Sequence, residues 1–376
     1  MLYYLGKNQT SVERRFSKSG NLKMDIVEQT QWKMNIKRWA RELGFVSVGF
    51  TAAEPIDSLA SLLQTRIDQG LMTPFESKVI EQRIDPQAVW QDCRTVAALA
   101  FPLPLTVPPQ EGEGVMARSA VGEDYHRVIV RKINQLIDRM VNHGWPGFPR
   151  FQVDTGPLVE RAFALRAGIG WIGRNQHLII PGYGSFAALA LLLLDQEIRQ
   201  DDPLIPGQCG TCQKCVQACP ARIIGQEPFA AKKCVSYLTQ SKEVLTSEER
   251  HRLGLRIFGC DTCQEVCPHN QKRLEEEALA EDPGLCPPAA STAPAPFCRG
   301  VNLYEILNLS KGEFIKRYKA TAAGWRGKGV LQRNAFLALR NAQDARSEQW
   351  LAEREKDKSV PPVILPYIQD GSGRCE

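Results

Sequence analysis

Cys209-Gly-Thr-Cys212-Gln-Lys-Cys215-Val-Gln-Ala-Cys219-Pro220 is a C-x2-C-x2-C-x3-C-P run, the spacing with which bacterial two-cluster electron carriers hold iron–sulfur cubes. Three closely spaced thiolates wrap one cube, and the fourth points away to a second. A shorter copy follows, Cys260-Asp-Thr-Cys263-Gln-Glu-Val-Cys267-Pro268, which lacks the first cysteine; Cys234, between the two runs, is the substitute. The crossing rule assigns Cys209, Cys212, Cys215 and Cys267 to one [4Fe–4S] cluster, and Cys260, Cys263, Cys234 and Cys219 to the other. Paired C-x2-C units also hold structural zinc. Zinc, however, does not need three cysteines at x2 spacing, an x3-Cys-Pro close, and then most of the run again. The spacing predicts electron transfer.

Working outward, 376 residues are enough for two or three domains. A hydrophobic content of 43% and a charged content of 24% are ordinary for a globular protein. The net charge of +5 permits a polyanionic partner without arguing for one. Eight of the twelve cysteines fall in the cluster stretch, which indicates metal rather than a disulfide framework and suits a reducing cytosol. Cys93, Cys286, Cys298 and Cys375 read as bystanders. Residues 1–23 carry scattered charge and no apolar core segment, so they read as a loose extension rather than a leader. The longest apolar run, Phe186 to Leu194, is far short of the roughly 20 residues a membrane helix needs. The expectation is a cytoplasmic protein with no membrane association, acting as a monomer.

Upstream of the cysteines, helical and extended patterns alternate. Helices are expected at Met24 to Leu43, Asp57 to Gln69 and Asp124 to Asn142. The last has Ile129, Ile133, Leu136, Ile137 and Met140 on one stripe. Strands are expected at Phe45 to Phe50, Thr95 to Phe101, Arg150 to Asp154 and Phe186 to Leu194, and Pro157 suits the first position of a helix over Leu158 to Ala167. The predicted class is α+β. An α/β-type domain spans 24–196, a ferredoxin-like two-cluster domain 197–273, a linker 274–300 and a helical region 301–376. A reduction that breaks a C–O bond commonly needs a positioned acid. Asp154, at the end of a strand and before a helix, is the candidate, although Asp-Thr-Gly is also good turn chemistry. His126 has both a metal or proton role and a plain packing role open to it. No nucleotide fingerprint supports a nicotinamide site.

Several stretches in order resemble the epoxyqueuosine reductases of queuosine-tRNA biosynthesis. They are Val48-Gly-Phe-Thr51, Gly122-Glu-Asp-Tyr-His126, Val153-Asp-Thr-Gly156, Arg166-Ala-Gly-Ile-Gly-Trp171 and Pro181-Gly-Tyr-Gly-Ser185. Both cysteine runs, Cys234-Val-Ser-Tyr-Leu-Thr-Gln240, Trp325-Arg-Gly-Lys328 and Gln332-Arg-Asn-Ala335 complete the set. The resemblance covers about Asp25 to Ala345. It implies a cobalamin-binding domain, two [4Fe–4S] clusters and a short HEAT-like helical portion. It also implies reduction of the epoxide of epoxyqueuosine at the tRNA wobble position, with electrons from an external low-potential donor. The family is similar to the reductive dehalogenases, which bind cobalamin base-off. By position, Asp154 matches the proton donor, and Arg83, Ala117, Asp154, Leu178 and Ser236 match cobalamin contacts. Arg326, Lys328 and Arg333 are the expected tRNA contacts. The helical text thins after about Asp344, which puts any tRNA contact by a longer tail in doubt. Two other functions fit parts of the sequence: a cobalamin-dependent dehalogenase, and a non-enzymatic two-cluster carrier.

Overall fold

A computed structural model describes residues 24–200, 204–279, 297–356 and 359–368. The expected extension over 1–23, most of the 274–300 linker, Cys286 and Cys375 lie outside the described residues. The chain divides into two compact units. One holds the residues up to Pro102 together with His126–Cys212; the other holds Leu103–Tyr125 and the chain from Gln213 onward.

The first unit is built on a four-stranded sheet in the order β1 (Ser47–Ala52), β2 (Thr95–Pro102), β4 (Ala187–Leu194), β3 (Arg150–Gln152). Every pairing is antiparallel, with Ala98 opposite both Gly49 and Leu191. The two central strands read Thr-Val-Ala-Ala-Leu-Ala-Phe-Pro and Ala-Ala-Leu-Ala-Leu-Leu-Leu-Leu, and are buried along most of their length. Period-2 alternation is absent because both faces are covered. This antiparallel sheet corrects the α/β-type expectation. It also removes the argument that Asp154 sits at the carboxyl edge of an open parallel sheet, since that rule belongs to doubly wound folds.

Helix α1 (Ile26–Glu42) begins at an Asp25 capping box in which the Asp25 side chain accepts from the Glu28 amide and Glu28 reaches back to the Asp25 amide. Helix α2 (Tyr125–Asn142) buries the five apolar residues of its expected stripe. Helix α3 (Glu160–Arg166) buries Phe163 and Ala164, which join the core with Val96, Ala98, Leu191 and Leu193 of the sheet. It starts later than Pro157 suggested. The intervening residues form the loop that carries Asp154.

In the second unit, a short helix α4 (Val235–Leu238), a helix α5 (Ser247–Leu253) and a strand at Arg256–Phe258 share one core with the C-terminal helices. Its centre is α6 (Lys328–Asn341), in which every residue from Val330 to Leu339 is buried. Tyr237, Leu253, Ile257, Ile306, Phe336 and Trp350 belong to that single core. The part of the cluster segment from α4 to the strand at Arg256–Phe258 therefore packs into the same core as the C-terminal helices. A further helix, Arg346–Lys356, follows beyond Asp344, where the helical pattern of the sequence thins, with Trp350 buried against Phe336. Among the described residues no helix is long and apolar enough to cross a membrane.

Candidate active site

Asp154 stands in the loop between β3 and α3 with φ of 56°. A non-glycine residue in the left-handed region is strained and persists only where its surroundings hold it. The Thr155 amide donates to the Val153 carbonyl at 2.5 Å, a three-residue turn that puts Asp154 at its apex. Its side chain is 57% exposed, and its Oδ2 lies 3.1 Å from His126 Nε2 at the start of α2. The structure thus joins two residues that the sequence offered separately.

The loop is tied from behind by two residues that no motif singled out. Gln152 Nε2 donates to the Leu158 carbonyl at 2.9 Å, and the Leu158 amide donates to Gln152 Oε1 at 3.1 Å. Glu160 Oε1 accepts from the Asp154 amide at 2.6 Å and from Gln152 Nε2 at 3.1 Å. Burial, and then the Asp154 charge, push the Glu160 carboxyl well above its ordinary range; its hydrogen bonds and His126 pull the other way. The Asp154 side chain, by contrast with Glu160, is more than half exposed. The available signal was faint: a glutamine two residues before Asp154 and a glutamate in the first turn of the next helix.

In the same unit, Arg66 and Arg83 both pair with Glu76, at 3.1 and 3.2 Å. Burial lowers the Arg161 guanidinium, and the charges of Arg66 and Arg83 lower it further against Glu76. Burial, then Arg161, depress His177 to about 4, which keeps it neutral. Arg83 is buried, with Nη1 given to Glu76 and the Ser77 carbonyl, while its Nε is buried without a partner. Leu178 is buried in a two-stranded ladder opposite Ile172.

In the second unit, Cys219, Cys234, Cys260 and Cys263 are partly buried neighbours. Burial and then the charges of Cys260 and Cys219 push the Cys234 thiol to about 11; burial and the sulfurs of Cys260, Cys234 and Cys219 raise Cys263 further. Thiols raised in this way, as Cys234 and Cys263 are, become thiolates when a cationic metal centre binds them. Ala221, Ile223 and Val235 form a small apolar core behind Cys219, Cys234 and Cys260. Among the described residues no group of three or more His, Cys, Asp or Glu is gathered around a single-ion position. The remaining four cluster cysteines are divided, Cys209 and Cys212 in the first unit, Cys215 and Cys267 in the second, and each is partly exposed. Cys298, outside both expected cluster sets, is disulfide-bonded.

Beside Cys260 lies a buried charge network. The Arg118 amide donates to Asp261 Oδ2 at 2.7 Å, and Arg118 Nη1 reaches Glu265 at 3.2 Å. Arg299 Nη1 lies 2.7 Å from Glu265. Burial raises the Asp261 carboxyl despite Arg118. In Glu265 burial also raises, but Arg299 and Arg118 prevail and the net shift is downward. A cavity of about 380 Å³ is lined by Ala117, Gly259, Cys260, Asp261, Glu265 and Arg299, among others. Arg299 Nε is buried there with no hydrogen-bond partner. Ser236 lies on α4, and its carbonyl accepts from Thr239 and Gln240.

The three expected tRNA contacts separate. Arg333 has 0% exposure and donates to the carbonyls of Ser241 and Leu238 and to Asn334 Oδ1. It is a structural staple and is removed from the phosphate-contact set, because α6 is surrounded by protein. Arg326 is partly exposed, with Nε on the Gln240 carbonyl and its guanidinium 4.6 Å from the Trp325 ring centre. Trp325 is 53% exposed and anchored by Nε1 to Gln240 Oε1 at 3.0 Å. Lys328 is partly exposed and reaches the Leu309 carbonyl at 3.1 Å.

The spacing of the eight cysteines marks the chain as an iron–sulfur protein. Residues 208–270 match the family model of a 4Fe-4S double cluster binding domain, and residues 83–155 match that of Epoxyqueuosine reductase QueG, DUF1730. The epoxyqueuosine reductase of Staphylococcus aureus is 34% identical over 329 residues, covering 85% of this chain and 82% of that protein. That of Bacillus subtilis is 34% identical over 344 residues, covering 89% and 85%. A crystal structure of an epoxyqueuosine reductase with an epoxyqueuosine-modified tRNA-Tyr stem loop aligns at TM-score 0.78 and 33% identity, covering 90% of this chain and 88% of that one. A Bacillus subtilis structure, described with its aspartate catalytic loop swung out of the active site, aligns at TM-score 0.78 and 33% identity, covering 89% and 88%. The chain belongs to the epoxyqueuosine reductase family.

Proposed function

We propose that this chain reduces the epoxide of epoxyqueuosine at the wobble position of tRNA, with Asp154 as the proton donor. Converting an epoxide to an alkene consumes two electrons and two protons and releases water. Asp154 delivers a proton to the oxygen as a C–O bond breaks, and His126, 3.1 Å away, is placed to restore it. The observation that carries this reading is the aspartate held at positive φ and joined to His126. Electrons come from an external low-potential donor. They pass through one cluster held by Cys209, Cys212, Cys215 and Cys267 and another held by Cys219, Cys234, Cys260 and Cys263. The protein acts in the cytoplasm as a monomer.

The residues present suit cobalamin, a group edged with amides and carrying a phosphate. Arg83 and Arg299 each keep a buried Nε without a partner, and Arg299 lines the same cavity as Ala117. By the family resemblance the expected contacts with the group are Arg83, Asp154 and Leu178 of the first unit, and Ala117 and Ser236 of the second. When bound, it supplies the low-potential cobalt chemistry that the side chains lack. On the RNA side, Arg326 and Lys328 supply positive charge, and Trp325 offers an exposed ring on which an unpaired base can stack.

The test is single-turnover assay of reconstituted protein with a reductant, cobalamin and an epoxyqueuosine stem loop, read by mass spectrometry of the nucleoside. Loss of one oxygen that requires both cobalamin and Asp154 supports the reading. Equal conversion by Asp154→Asn removes the donor role, and conversion without cobalamin removes the cofactor.

A further inference from the structure

The loop that carries Asp154 is closed around a side chain. Gln152 exchanges two hydrogen bonds with the backbone of Leu158, at 2.9 and 3.1 Å, as two paired residues do across an antiparallel ladder. The Gly156 backbone passes so near that amide that a Cβ there would lie 2.0 Å from Gln152 Oε1. Only glycine lets the loop close this tightly. Glu160 adds the last tie, with one oxygen accepting both Gln152 Nε2 and the Asp154 amide. The strained residue is therefore gripped by its own N–H, while its carboxyl group meets His126.

We infer that Gln152 and Glu160 are positioning residues that hold Asp154 ready for proton delivery by gripping the backbone of its loop. The inference rests on the reading of Asp154 as the donor. Glu160 works through the reach of an acceptor oxygen, and its ionisation is not required. The raised Glu160 carboxyl agrees, since a neutral acid still accepts through its carbonyl oxygen. Neither residue is assigned a contact with the substrate.

Two small substitutions separate reach from acidity. Glu160→Gln keeps the length and the acceptor and removes the acid; Glu160→Asp keeps the acid and withdraws the acceptor by one methylene. In the holoenzyme, kcat on the modified stem loop is expected to fall about a hundredfold in Glu160→Asp, the scale of a small misplacement, with KM little changed. Glu160→Gln is expected to recover most of that loss. Amide hydrogen exchange at Asp154, which needs no turnover, is expected to accelerate in Glu160→Asp and not in Glu160→Gln. The opposite order of the two variants, or unchanged exchange in Glu160→Asp, overturns the inference. Should Asp154→Asn retain full turnover, the donor reading fails, while the exchange data still report whether the grip exists.

Discussion

The Asp154 loop and helix α6 treat charge in opposite ways. On the loop, a carboxylate is largely exposed on a strained backbone tied by a few local hydrogen bonds. In α6, Arg333 is entirely buried on regular helix and spends its donors on Ser241, Leu238 and Asn334. Both residues sit in short motifs that the family resemblance marks. On the proposed function the first motif carries chemistry, whereas burial assigns the second to the fold. Strain and exposure are features of a site that must meet a substrate, whereas a buried guanidinium saturated by carbonyls is a device for joining segments distant in sequence.

The sharpest way to break this contrast is Asp154→Asn. Turnover is expected to drop by roughly 10²–10⁴, the usual contribution of a positioned acid, while stem-loop affinity measured by fluorescence anisotropy stays near wild type. A large loss of affinity instead would make Asp154 a binding residue. Arg333→Met tests the other side. It orphans two buried carbonyls and the Asn334 oxygen, at about 1–3 kcal/mol for each group, so the thermal midpoint is expected to fall steeply. The salt dependence of RNA binding by the remaining folded protein should be unchanged, and a reduced salt slope would return Arg333 to the phosphate contacts.

Arg326→Ala and Lys328→Ala are expected to act the other way round. Each weakens stem-loop binding and lowers the salt slope by about 1, with little change in thermal midpoint. The smallest effect concerns His177. Its folded value of about 4 lies below the ordinary 6.5, so the unfolded chain binds the proton first. The stability it protects is complete above 6.5 and is lost as the pH falls towards 4. His177→Asn is expected to flatten the fall in urea midpoint between pH 6.5 and 5, and an unchanged slope assigns that acid sensitivity to other groups.

Much of the frame was legible because it repeats simple patterns. The apolar runs ending at Phe101 and Leu194 became the central strands, and the stripe from Ile129 to Met140 became the buried face of α2. Pairing direction was not legible. A strand covered on both faces looks the same in sequence whether its neighbours are parallel or antiparallel, so an open parallel sheet and the observed one were equally compatible with those runs. The helix expected from Pro157 begins only at Glu160 because the preceding residues are occupied in closing the loop on Gln152.

By itself, the sequence determined the electron-transfer chemistry, since thiolate spacing is a local property that survives any fold, and it determined the family through motifs in a specific order. Tertiary structure alone decided what each charge is for. His126 and Asp154 lie 28 residues apart and meet, Arg333 faces inward because α6 is covered on all sides, and Glu160 matters through an oxygen 2.6 Å from another residue's amide. Charge, burial and reach depend on which segments pack together, and packing is a property of the whole chain rather than of any stretch within it.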